Sequence, residues 1–118
     1  MNIMIVEDNA KMRKMIHKVI IDGVKDIDSV FEFRDGEDAI NYYRKLKPDW
    51  VTMDIRMEPM NGLTASQKII ENDAGARIII VTHYSDVAYR EKAKNIGIYA
   101  YVLKENLTDL PALIKSIL

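Results

Sequence analysis

The sequence predicts an α/β fold, a five-stranded parallel sheet with helices on both faces. Three observations carry that prediction. Short apolar runs alternate five times with segments of helical period. Four of the five runs are nearly continuously apolar, as strands covered on both faces should be. The connections are short, so each run and its helix form one βα unit, and right-handed crossovers leave few topologies.

The first strand is NIMIV, residues 2–6. NAKMRKMIHKVIID follows with Ala10, Met12, Met15, Ile16, Val19 and Ile20 along one stripe, and Gly23 closes it. IDSVFEF, 27–33, alternates and reads as an edge strand. GEDAINYYRKLK sets Ala39, Ile40, Tyr43 and Leu46 inward behind an Asp35 cap, and Lys47-Pro48 stops it. DWVTM, 49–53, is the third strand, and the helix GLTASQKIIEND follows it. After the fourth strand, RIIIVT at 77–82, a helix runs from a Ser85 cap to Gly97. IYAYVL, 98–103, is the fifth strand. NLTDLPALIKSIL then turns Leu110, Leu113, Ile114 and Ile117 inward, with Pro111 tolerated near its first turn. A central first strand and an edge second strand fit the flavodoxin-like (βα)5 order 2-1-3-4-5.

The 118 residues fit one domain, 1–118, with no room for a second. Seventeen basic against eighteen acidic side chains leave no overall field for nucleic acid. The absence of cysteine excludes disulfides, thiolate catalysis and Cys-based zinc sites, and His17 and His83 alone cannot hold zinc. No apolar run approaches a membrane span, and Met1 directly before the first strand leaves no space for a signal peptide. The expected setting is cytoplasmic, without membrane contact.

In a parallel sheet all carboxyl ends lie on one edge, where open α/β folds bind ligands. Here those ends carry Glu7-Asp8, Asp54, Thr82 and Lys104. Each has an ordinary reading alone: a helix cap for Asp8, a turn residue for Asp54 or Thr82, a solvated side chain for Lys104. Together they point to chemistry, because four strand ends would otherwise have to supply matching groups by accident. Three carboxylates that close raise one another's pKa unless a positive charge intervenes. Lys104 and a hard divalent cation, Mg2+ with Mn2+ as substitute, are the candidates. The expected chemistry is phosphoryl transfer. Asp54 is the nucleophile, Glu7 and Asp8 hold the metal, Lys104 is the counter-charge and Thr82 a hydroxyl donor. Neither a Walker A nor a GxGxxG pattern follows the first strand, which argues against nucleotide binding.

IMIVEDNAKMR, WVTMDIRMEPMNG, IIIVTH and YAYVLK resemble the receiver domain of bacterial two-component response regulators, in the right order over essentially the whole chain. The resemblance implies phosphorylation of Asp54 by the phosphohistidine of a sensor histidine kinase or phosphotransfer protein. It implies that Asp8 binds Mg2+ directly, Glu7 largely through water, and the Arg56 backbone carbonyl completes the protein ligands. Such a domain catalyses only its own phosphorylation and dephosphorylation. It also implies that Thr82 moves toward the phosphoryl group as Tyr101 rotates inward, remodelling the face of the fourth helix, fifth strand and fifth helix. On that face Val87, Tyr89, Arg90, Lys94, Tyr99 and Tyr101 are the expected partner contacts. Strand alternation places Tyr99 and Tyr101 on one side.

The sequence departs from the family pattern in four places. Glu58 stands where proline is usual, with Pro59 next, which adds an acid that competes for metal. Lys104 is followed by Glu105 instead of proline. A cis bond there costs about 2.5 to 4 kcal/mol, so a trans bond or a strained exception is expected. His83 replaces a small residue, either shielding the acyl phosphate or pointing outward. Arg56 and Tyr84 are large where the family tunes phosphate loss, so slow self-hydrolysis is expected. If Leu118 is the natural end, output goes through a protein partner, with a monomer or a dimer formed on phosphorylation. If the chain is longer in nature, an effector domain follows; the VLKENL region resembles receivers attached to helix-turn-helix domains. The domain itself is not expected to bind nucleic acid. The alternatives are a phosphorylation-independent pseudo-receiver and a small metal-dependent phosphatase. For the latter, Arg56 is an unsuitable acid-base residue.

Overall fold

The computed structural model is described over residues 1–116. Its elements are β1 (Asn2–Val6), α1 (Ala10–Gly23), β2 (Ser29–Phe33), α2 (Gly36–Leu46), β3 (Trp50–Met53), α3 (Gly62–Asn72), β4 (Ile78–Thr82), α4 (Val87–Ile96), β5 (Ala100–Leu103) and α5 (Leu110–Lys115). A 3-10 turn, Lys104–Asp109, joins β5 to α5. Every strand pairing is parallel and the order is β2-β1-β3-β4-β5, as the sequence predicts.

Period-two alternation explains the continuously apolar strands, because both faces are covered. Met4, Val6, Val51, Met53, Ile78 and Ile80 pack toward α2, α3 and α4 with Ala39, Leu63, Ile69 and Ala93. Ile3, Ile5, Trp50, Ile79 and Val81 pack toward α1 and α5 with Ile16, Ile20, Leu110 and Ile114. Burying each of these large side chains contributes about 1.5 to 3 kcal/mol.

Helix entry answers a question raised by the two acids that end β1. Asn9, not Asp8, caps α1: its side chain accepts from the Met12 N–H at 2.9 Å. Asp8 is thereby left free of a capping role. Asp35 caps α2 by accepting from the Asp38 N–H, as expected, and Asn61 accepts from Leu63 and Thr64 to cap α3.

Several expectations are corrected. Four strands begin one or two residues later than their apolar runs, because ladder pairing starts inside each run. Met15 and Ala10 are exposed, so the α1 stripe is narrower than the sequence indicates. Gly23 is the last residue of α1 and does not take a left-handed turn; extended Val24 ends the helix. A Cβ on Gly23 would lie 2.5 Å from the Pro111 ring, so close approach of α5 requires glycine there. Gly97 does take the left-handed turn, φ 94°, at the end of α4. Ser85 is not the α4 cap; Asp86 holds that position without a side-chain bond. The last segment divides into the 3-10 turn and a short α5 entered at Pro111, with Leu110 and Ile114 buried and Leu113 partly so. Ile117 lies outside the described residues.

Tyr99 and Tyr101 do not share a side. Tyr101 packs on the α4 side, whereas Tyr99 stands edge-on to Trp50 at 4.9 Å and meets Ser116. Tyr99 precedes β5, so strand alternation does not reach it.

Candidate functional site

The parallel sheet brings the ends of β1, β3 and β5 to one edge, and the acids meet there. One oxygen from each of Glu7, Asp8 and Asp54 lies within 4.8 Å of the others. Glu7 is fully buried, Asp54 is 6% exposed and Asp8 is exposed. The Lys104 side chain, 5% exposed, enters between the two buried acids. Its Nζ lies 2.7 Å from Glu7 Oε1 and donates to Asp54 Oδ2 at 3.2 Å. The Glu7 contact is a charge contact outside hydrogen-bond alignment, which leaves Oε1 a buried oxygen with unused acceptor capacity.

The other carboxylate oxygens are held by backbone. Asp54 Oδ1 accepts from the Ile55 N–H at 2.8 Å, and Glu7 Oε2 accepts from the Asn9 N–H at 3.1 Å. The strand backbone continues into the site: the Glu7 N–H donates to the Phe33 carbonyl and the Asp54 N–H to the Val6 carbonyl. Helix α3 closes against the far side, where the Gly62 N–H donates to the Ile55 carbonyl at 2.7 Å.

Burial pushes the Asp54 carboxyl above its ordinary value of 3.8, against the pull of Lys104. Desolvation, then Glu7, pushes Asp8 up as well. Burial alone would lower Lys104, but Glu7 and Asp54 outweigh it and its pKa rises above 10.5. Each direction sets a pH dependence. Between 3.8 and the raised folded values, Asp8 and Asp54 hold protons in the folded chain that the unfolded chain has released. Metal-free stability should therefore fall as pH rises through that window, while the Lys104 contribution persists at neutral pH and is lost above 10.5. Denaturant midpoints across mildly acid to neutral pH check this. A divalent cation should flatten the carboxylate slope, and an identical slope with and without it would contradict the assignment.

Thr82 is fully buried at the end of β4, with Oγ1 accepting from the Tyr84 N–H at 3.3 Å. Its hydroxyl is thus turned along the β4–α4 loop. Arg56 and Tyr84 stack over one another, guanidinium to ring centre 4.3 Å, and Tyr84 meets Tyr89 edge-on at 6.2 Å. Tyr101 is half-buried, donates its hydroxyl to the Tyr84 carbonyl and lies under Arg90 at 4.5 Å. His83 is exposed and lines the rim of the acid cleft with Tyr84, Met12 and Met15.

Glu58 is exposed and stands outside the acid cluster, on a neighbouring groove with Asp8, Arg56 and Asn61. Glu58–Pro59 is the only cis peptide among the described residues, so Lys104–Glu105 is trans. On the expected partner face, Val87 is 69% exposed, Arg90, Lys94 and Tyr99 are exposed, and Tyr89 is half-buried.

A larger groove runs between α2 and α3 around Tyr43, whose hydroxyl donates to Asp73. It holds none of the strand-end groups, so size does not locate the chemistry. Sequence reasoning passed over Arg13, which donates to the Glu7 carbonyl, and took Gly62 only as the first residue of the helix GLTASQKIIEND. Neither has a sequence signal: one looks like a solvated helix residue and the other like an ordinary helix start.

The acid set fits a hard divalent cation. All donors are oxygen, two are already desolvated, and Glu7 Oε1 is buried without an aligned partner. No helix among the described residues is long and apolar enough to cross a membrane.

The chain is 34% identical to the chemotaxis protein CheY of Thermotoga maritima over 102 residues, 86% of this chain and 83% of that protein. It is also 34% identical to the uncharacterized transcriptional regulatory protein YhcZ of Bacillus subtilis over 98% of this chain, but only 53% of that protein. The crystal structure of a LuxR-family two-component response regulator from Aurantimonas sp. SI85-9A1 superposes with TM-score 0.90 at 31% identity, covering 98% of this chain and 83% of that one. A family model described as the response regulator receiver domain matches residues 3–117. By sequence, fold and acid site together, this chain belongs to the response regulator receiver domain family.

Proposed function

We propose that Asp54 accepts a phosphoryl group from the phosphohistidine of a sensor histidine kinase or phosphotransfer protein, with Mg2+ bound at Glu7, Asp8 and the Arg56 carbonyl. The observation that carries this reading is the buried Asp54 carboxylate, opposed by Lys104 and grouped with two further acids. An Asp54 oxygen attacks phosphorus, the P–N bond to the donor imidazole breaks, and the imidazole keeps the bonding pair and takes up a proton. Lys104 is already within 3.2 Å of Asp54, so it needs no reorganisation to neutralise phosphoryl oxygens. A bound divalent cation would supply further charge neutralisation on those oxygens. Hydrolysis reverses the modification: water attacks phosphorus and the aspartyl P–O bond breaks. The chain thus acts on its own aspartate and is not an enzyme acting on a separate substrate.

Thr82 and Tyr101 are the switch pair in this reading. Their hydroxyls are connected through Tyr84, one at its N–H and one at its carbonyl, so movement of Thr82 disturbs the anchor of Tyr101. The exposed α4 positions and Tyr99 then meet a downstream protein, a second copy or an effector domain of the same chain. Similarity to the shorter CheY supports the first arrangement and similarity to the longer YhcZ the last.

The test is intact mass after incubation with a small acyl-phosphate donor. Gain of one phosphoryl group should require both Mg2+ and Asp54, and should vanish in Asp54→Asn. No gain in the wild-type chain would leave the pseudo-receiver reading. Phosphate lifetime tests the Arg56–Tyr84 stack: Arg56→Ala with Tyr84→Ala should open the cleft and speed loss of the phosphoryl group about tenfold, roughly 1.4 kcal/mol of barrier. An unchanged lifetime would remove the stack from this role.

A further inference from the structure

The loop that carries Glu7 and Asp8 is held from outside the acid cluster by one side chain, and we propose that Arg13 is a positioning residue for divalent-cation binding. The inference rests on the metal-site reading above. Arg13 folds back from the first turns of α1 and is 16% exposed. Its Nη1 donates to the Glu7 carbonyl at 2.8 Å and its Nε to Glu32 Oε1 at 3.1 Å on β2. The guanidinium therefore ties the acid loop to the neighbouring strand. Glu32 is itself oriented, since Oε2 meets His17 Nδ1 at 2.9 Å.

The contact is to a carbonyl and not to a carboxylate, which defines its action. The Glu7 carbonyl and the Asp8 N–H belong to one planar peptide, so fixing the first fixes the second and the direction in which Asp8 leaves it. Glu7 has further anchors: its N–H is paired with Phe33 and its Oε2 with Asn9. Asp8 is exposed and depends on that peptide plane for its place beside Glu7 and Asp54. Three acids must be held within 4.8 Å against their repulsion before a cation arrives. A fork binding two acceptors at once removes a rotation that the cation would otherwise have to freeze out.

Calorimetric titration with Mn2+ on the full chain measures this. Arg13→Met should raise Kd about tenfold or more, in the range seen when groups orienting metal ligands are removed. Arg13→Lys should recover part of the affinity, because an ammonium reaches the Glu7 carbonyl without the fork to Glu32. Glu32→Ala should weaken binding less than Arg13→Met. Amide exchange in the metal-free protein should accelerate at Asp8 and Asn9 in Arg13→Met. Unchanged Kd and exchange in folded Arg13→Met would overturn the inference. If that variant does not fold, wild-type affinity in both Arg13→Lys and Glu32→Ala overturns it, as does a wild-type chain that binds no Mn2+. A wild-type chain that binds Mn2+ but takes no phosphoryl group overturns the proposed function and leaves this inference standing.

Discussion

Lys104→Met should cost about 3 to 5 kcal/mol of stability at neutral pH without divalent cation, the range for breaking a buried pair from one side. Methionine keeps much of the stem volume and removes the charge. Glu7, fully buried, and Asp54, 6% exposed, are then left facing each other with no cation between them. One of the two must take up a proton, so the loss should shrink in mild acid, where the folded wild-type chain already retains carboxylate protons. Added Mg2+ should restore part of the stability by binding only the folded state. Phosphorylation should be slowed about 100-fold even with Mg2+ present, the size of effect that removal of one preorganised charge donor has elsewhere. Urea unfolding with and without Mg2+, beside the intact-mass assay, measures both. Wild-type stability in Lys104→Met would mean that the two acids are solvated or protonated in the native chain, and would undo the electrostatic account of the site.

Gly62→Ala should be of comparable size for a purely steric reason. A Cβ at residue 62 would lie 1.6 Å from the Asp54 carbonyl oxygen, 2.7 Å from its carbonyl carbon and 2.9 Å from Met53 Cγ. Two of these atoms are backbone and cannot rotate away. The Asp54 backbone is pinned as well, through its N–H to Val6 and its carboxylate to Ile55 and Lys104. The start of α3 must therefore retreat, breaking the Gly62–Ile55 hydrogen bond and opening the core around Leu63. The expected loss is about 3 kcal/mol or more, at the upper end for overpacking because the clash is with backbone. Asp54 should also be phosphorylated more slowly in whatever fraction remains folded. A denaturation midpoint equal to wild type would show that α3 can slide, contrary to the anchoring by Asn61 at its cap.

Much of this molecule was legible in the sequence. The alternation of apolar runs with helical stripes determined the five βα units, and the single alternating run identified β2 as an edge. Parallel strands send their carboxyl ends to one side, so topology alone places Glu7, Asp8, Asp54 and Lys104 together. Local rules also located the Asp35 cap and the Gly97 stop, because each depends on neighbours a few residues away.

What tertiary structure alone decided are the contacts made between distant segments. Gly23 meets Pro111 near the other end of the chain, and Gly62 lies on the carbonyl of Asp54 because the β3–α3 loop folds back on itself; no residue pattern around either glycine specifies the atom it meets. Tyr99 turns to Trp50 because β5 begins one residue later. Thr82 sits at the predicted strand end, yet its hydroxyl is engaged by the Tyr84 N–H, an orientation that a strand-end position does not specify. Arg13 carries no pattern of its own, and its part depends on the carbonyl and the carboxylate that folding brings to its two ends. Periodicity records which face a residue buries; it does not record which distant atom meets it there, and the close approaches around this site are of that second kind.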